Sequence, residues 1–218
     1  MVHLSLSASG YDVLLEVLFG IISLIVALFA FKVYYRSNQR QAKLFGIAFS
    51  FISLSYFVQA LFNYLIISKA NTGVCKAIAL PLFAWYNFLG VYTHILLMMV
   101  GLVIMVYLTL KIHKPLLLVL MLLVSLISLF FSEEHFLTVF LILSTVYFIF
   151  ICIHFVNNFR KNKDKKSLLV ALAFLFLLFG SINFMFCTQG ETFYGLAHFL
   201  ALVAYLFLLW DFYLVLRK

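Results

Sequence analysis

Long, continuously apolar stretches broken by short polar ones run along almost the whole chain. Cut at the charged or turn-rich breaks, they give seven candidate spans: 11–31, 44–67, 80–110, 115–131, 136–156, 168–186 and 193–216. A helix of about 20 apolar residues crosses a hydrocarbon core and satisfies its own backbone there. The runs do not alternate as barrel strands do, so helices are expected. Pro115 and Pro81 fall where spans four and three begin, and in a first turn the missing N–H is not needed. Span three is longer than a crossing requires, and its first part, with Trp85, Tyr86 and Tyr92, reads as an extension into the outer interface. The connections are too short to fold alone, so residues 1–218 read as a single seven-helix transmembrane domain.

Composition agrees. The chain is 67% hydrophobic and 10% charged, against about 45–50% and about 25% for soluble domains. With a mean hydropathy of +1.18, a water-soluble fold is excluded. Charge then sets orientation. Of 15 basic residues, all but Lys69 and Lys76 fall after spans one, three, five and seven, on one side of the predicted membrane. The positive-inside rule puts that side in the cytoplasm, the N-terminus outside and the C-terminus cytoplasmic, in a multi-pass protein of the cell membrane. The first basic cluster follows span one instead of preceding it, so the span reads as a retained helix and not a cleaved signal. The loop NNFRKNKDKK suits anionic headgroups and gives no reason to expect nucleic-acid binding.

Spans one to three and five to seven both begin outside and end inside, the arrangement of two parallel triplets joined by a linker helix, a 3+1+3 layout. Span four, with only Ser125 and Ser128 as polar groups, fits the linker. Chance likeness among apolar helices is the alternative.

Polar side chains inside hydrocarbon cost about 2.5–3.5 kcal/mol each at the centre on insertion scales, so their placement is informative. Counted from the cytoplasmic ends, Glu16, Gln59, Asn63, His94, Asn183 and His198 lie at one depth on five spans, with Asp12 one turn above Glu16. Asn87 precedes His94 by seven residues, and Tyr194 precedes His198 by four, so each pair shares a helix face. Convergence on a polar pocket open to the outside is one reading. The other is interhelical glue with no ligand. A carboxylate such as Glu16 is a poor choice for glue, because in hydrocarbon it must be paired, protonated or hydrated.

Glu16, His94 and His198 could form a three-ligand zinc set, and the two histidines a haem pair, but no HxxxH, HExxH or CxxC spacing occurs. No cofactor or metal is expected. Span seven has no lysine before Lys218, which excludes a retinal Schiff base. Asp211 reads as an interfacial residue paired with a loop base. Cys75 and Cys187 both fall on the outer side, where a disulfide could staple the mouth of the pocket. Cys152 reads as a small apolar filler.

The stretch FYGLAHFLALVAYLFLLW, with Phe193, Tyr194, Ala197, His198, Ala204 and Tyr205, resembles the last helix of prokaryotic seven-helix sensory domains of the MASE type. The 3+1+3 architecture is also similar to that of PQ-loop transporters and sugar exporters. Their Pro-Gln pair is missing, since neither Pro81 nor Pro115 precedes a glutamine. The resemblance implies a sensory domain, and the shared depth of Glu16, Gln59, Asn63, His94, Asn183 and His198 leads to the expectation of a non-enzymatic sensor or receptor-like protein that takes a small molecule. Having no output domain before Lys218, it would act through a separate cytoplasmic or membrane partner. The alternatives are a small-solute transporter and an intramembrane metal-binding enzyme.

Overall fold

The computed structural model describes residues 10–71, 76–110, 114–130, 135–186 and 191–216. Among them every element is helical: α1 (Gly10–Ser37), α2 (Arg40–Asn71), α3 (Lys76–Thr109), α4 (Pro115–Phe130), α5 (Phe136–Asn162), α6 (Lys165–Met185) and α7 (Glu191–Leu216). All but α4 are long and apolar enough to cross a membrane. With 16 residues, α4 extends about 24 Å at 1.5 Å per residue, short of a hydrocarbon core of about 30 Å.

Helices α1, α2, α5 and α6 run past the apolar spans into the basic segments, because Lys and Arg side chains are good helix formers and can leave the hydrocarbon while the backbone stays helical. Local chemistry supplies the stops. Asn38 and Lys163 take left-handed conformations, each with φ 51°. The Asn38 N–H donates to the Tyr34 carbonyl at 2.8 Å and the Lys163 N–H to Phe159 at 2.7 Å. These bonds cap carbonyls that the ending helices would otherwise leave orphaned. Asp164 then opens α6, its carboxylate accepting from the Ser167 N–H at 3.0 Å. Two-residue connections make α1–α2 and α5–α6 tight antiparallel hairpins.

Packing closes a ring. Helix α1 contacts α2, α2 contacts α3, α3 contacts α5, α5 contacts α6, α6 contacts α7, and α7 returns to α1. Among the described residues, helix α4 touches only α3 and α5, and lies outside the ring over their seam. Its inner face packs Leu118, Met121, Leu122 and Leu129 against α3 and α5, while Leu116, Leu120, Val124 and Ile127 are exposed. The ring's exterior is equally apolar, with Leu28, Leu61, Ile149 and Leu206 exposed, as a surface facing lipid requires.

The two ends differ. Phe212 of α7 packs against Phe29 of α1 and Phe45 of α2, which gathers the α1 C-terminus, the α2 N-terminus and the α7 C-terminus at one end, beside Arg36 and Arg40. In this basic half the interior is full: Val26, Leu102, Met105, Ile151, Phe174 and Leu208 are all 2% exposed or less. Close helix approach needs small residues there. A Cβ on Gly101 would stand 2.9 Å from the Ala48 carbonyl oxygen of α2, closer than packed atoms tolerate. Asp211, expected at the interface with a basic partner, is instead only 7% exposed, and one carboxylate oxygen has no partner among the described residues. Its helical register turns it inward, with Lys166 and Asp164 at the start of α6 as its charged neighbours.

Candidate functional site

Toward the end opposite the basic cluster the ring opens around a cavity of about 300 Å³. All six ring helices line it and α4 does not. Each helix contributes through residues one turn apart. Glu16 and Phe19 come from α1, Tyr56 and Gln59 from α2, His94 and Met98 from α3, and Tyr194, His198 and Ala201 from α7. From α5, the face made by Leu137, Phe140, Ser144 and Phe148 completes the wall with Leu177, Ser181 and Phe184 of α6. At this size, with a largely apolar wall and a few converging polar groups, the cavity sits at the lower end of the range of about 300–1,000 Å³ for small-molecule sites.

The floor is aromatic. Phe19, Tyr56 and Tyr205 form a triad with ring centroids 5.3–6.2 Å apart, and Tyr205 is only 2% exposed. On this floor stand the two histidines. His198 stacks on Phe19 at 6.1 Å and meets Tyr194 and Phe184 edge-on at 4.4 and 5.1 Å. His94 tilts against Tyr56 at 5.5 Å and places Nδ1 3.1 Å from the Ser55 carbonyl. With Nδ1–H donating there, the neutral ring keeps Nε2 as an acceptor.

Hydrogen bonds tie α1 to its neighbours beside this wall. Asn63 Nδ2 donates to both Glu16 carboxylate oxygens, at 2.8 and 3.0 Å. Tyr194 Oη donates to Asp12 Oδ1 at 2.9 Å, joining α7 to α1. Three buried atoms in the wall find no hydrogen-bond partner among the described residues: Gln59 Oε1 and both ring nitrogens of His198. Buried polar atoms are normally satisfied, and each exception invites a functional explanation.

Of the residues expected from sequence, Glu16, Gln59, His94, Tyr194 and His198 meet in the wall. Asn63 stands behind Glu16 and orients it. Asn87 and Asn183 do not line the cavity. Asn183 turns back along its own helix, Nδ2 donating to the Phe179 carbonyl at 2.8 Å. Helix α6 presents Ser181 instead, bonded to Thr145 of α5 at 2.7 Å. The α5 face escaped sequence reading because Leu137, Phe140, Ser144 and Phe148 resemble any other apolar helical stripe. Glu16, His94 and His198 share the wall, yet among the described residues no three His, Cys, Asp or Glu side chains gather closely enough to hold a metal. Cys75 and Cys187 lie outside the described residues, and Cys152 is a buried free thiol.

Comparison with protein-family models, curated proteins and solved structures finds no match to this chain.

Proposed function

We propose that this is a receptor-like multi-pass membrane protein that binds a small molecule in the ring cavity and reports its occupancy to a separate partner at the basic end. The observation that carries the reading is the construction of one cavity from all six helices of a closed ring, with hydrogen-bonding atoms left unsatisfied in its wall. An occupant touching every helix can bias the whole bundle between arrangements, as a ligand-driven population shift requires. The proposed topology has seven crossings. Phe130 at the end of α4 and Phe136 at the start of α5 both pack on Tyr92 of α3, which supports α4 as a short crossing from the basic end. The positive-inside rule gives an external N-terminus, a cytoplasmic basic end and a cavity facing outward, in the cell membrane.

The test is ligand retention. Purified protein in maltoside detergent is extracted and its small molecules are compared by mass spectrometry with those of Ser144→Phe, which fills the cavity from α5. A compound enriched in the unaltered protein and lost in the filled variant supports the reading. Equal content in both, together with an unchanged thermal-shift response to a metabolite library, refutes it.

A transporter is the second reading. It is favoured by the ring's division into two three-helix arches, α1–α3 and α5–α7, that meet only at the less extensive α3·α5 and α1·α7 seams with the cavity between them. Two such arches are what rocking alternation about a central site would use. Uphill or exchange flux in proteoliposomes would favour transport over reception.

A further inference from the structure

We infer that the ring cavity selects an organic ammonium cation, a monoamine whose charged nitrogen is held at Glu16 and whose apolar body lies against the α5–α6 wall. This rests on the cavity being a ligand site and names the chemistry of what fills it. The first support is charge. Among the described residues Glu16 is the only formally charged side chain in the lining, no lysine or arginine lines the cavity, and Asp12 stands one turn further along α1. An anionic guest would meet a carboxylate and no counter-charge. A cationic guest would supply the partner that a carboxylate withdrawn from water requires.

The second support is the balance of donors and acceptors. Asn63 occupies part of the Glu16 carboxylate, which can accept about four hydrogen bonds in all. Gln59 Oε1 is an unsatisfied acceptor, His94 Nε2 is an acceptor in the neutral ring, and neutral His198 adds one acceptor and one donor. Even with the two N–H donors of the Gln59 amide counted, the acceptor sites left on Glu16, Gln59, His94 and His198 outnumber the free donors in this wall. An ammonium group brings up to three donors and no acceptor, so it matches the surplus, whereas a carbonyl or carboxylate guest would add to it. The aromatic lining adds a third support: Tyr56, Phe140, Phe184 and Tyr194 stand in the wall, and aromatic rings attract a cation.

Size bounds the body. An engineered apolar cavity of about 150 Å³ holds benzene, so about 300 Å³ admits a ring with a short amine side chain.

The test compares three molecules of one shape: phenethylamine, 2-phenylethanol and phenylacetate, titrated calorimetrically into the full-length protein in maltoside detergent. Binding of the amine at least tenfold tighter than the alcohol, with the acid weaker still, is the expected result. Glu16→Gln should abolish the preference for the amine, so that amine and alcohol bind that variant with similar affinity. Equal affinity for amine and alcohol, displaced by Ser144→Phe, would overturn the cation assignment and leave the ligand-site reading intact. If none of the three binds, the assignment falls, and the retention experiment above decides the site separately. Should Glu16→Gln not fold, the amine-to-alcohol ratio on the unaltered protein still decides.

Discussion

At the scale of single residues, the contact between Asn63 and Glu16 shows how a costly group is held in an apolar bundle. Asn63 is only 9% exposed and gives both of its short bonds to one carboxylate. Removing one partner of a buried pair costs more than removing both, because the survivor keeps its desolvation penalty. Asn63→Leu should therefore destabilise the protein by about 1–3 kcal/mol, and Glu16→Met combined with Asn63→Leu should recover much of that loss. Thermal melting of the four proteins in one detergent measures this as a double-mutant cycle. Additive losses would mean that the two side chains do not act as a pair. Asp211 is a different case: it was legible as an ionisable residue, but sequence could not show that its register buries it.

At the scale of elements, the helices end where local chemistry ends them. The Asp164 cap satisfies the Ser167 N–H at the start of α6, and its loss in Asp164→Ala should cost about 1 kcal/mol. Asp164→Asn, which keeps the accepting oxygen, should cost far less, and a chemical-denaturation series resolves the two. Close packing of α3 on α2 gives a second contrast. Gly101→Val would drive a side chain into the Ala48 carbonyl and Ile52, with an overpacking penalty of about 1–3 kcal/mol. Gly195→Ala meets nothing within 4 Å and should be neutral or mildly stabilising. Equal melting temperatures for these two variants would contradict the α2–α3 packing. Apolar runs located all seven helices, yet they could not show that α5 lines the site, since a stripe facing a cavity and a stripe facing lipid have the same composition.

At the scale of the whole molecule, α1–α3 and α5–α7 form two extensively packed arches, while the α3·α5 and α1·α7 seams that close the ring are smaller. Helix α4 braces one seam from outside through the Ser125–Tyr147 side-chain bond. The α1·α7 seam is held near its basic end by Phe29 on Phe212 and near the cavity by Tyr194 on Asp12. If the arches move against each other, a thiol cross-link in Phe29→Cys/Phe212→Cys should raise thermal stability and suppress ligand-dependent changes at the basic end. A cross-link within one arch should leave those changes intact. Fluorescence from a probe attached at Ser37→Cys, in a background lacking the native cysteines, would report the difference.

The sequence alone determined that this chain is a bundle of apolar helices, and where polar groups interrupt them, because hydrocarbon penalises each exposed backbone or ionisable group without regard to neighbours. It also picked out Glu16, Gln59, His94 and His198, whose depth follows from counting along each helix, and Tyr194, which shares a helix face with His198. Tertiary structure decided the rest: that six helices close a ring, that α4 stays outside it, that Asn183 turns to its own backbone and that Ser144 and Ser181 face the cavity. Those outcomes depend on the rotation of each helix about its axis and on the order of helices around the ring. Both are fixed by packing between segments distant in sequence, which a pattern read along one segment does not contain.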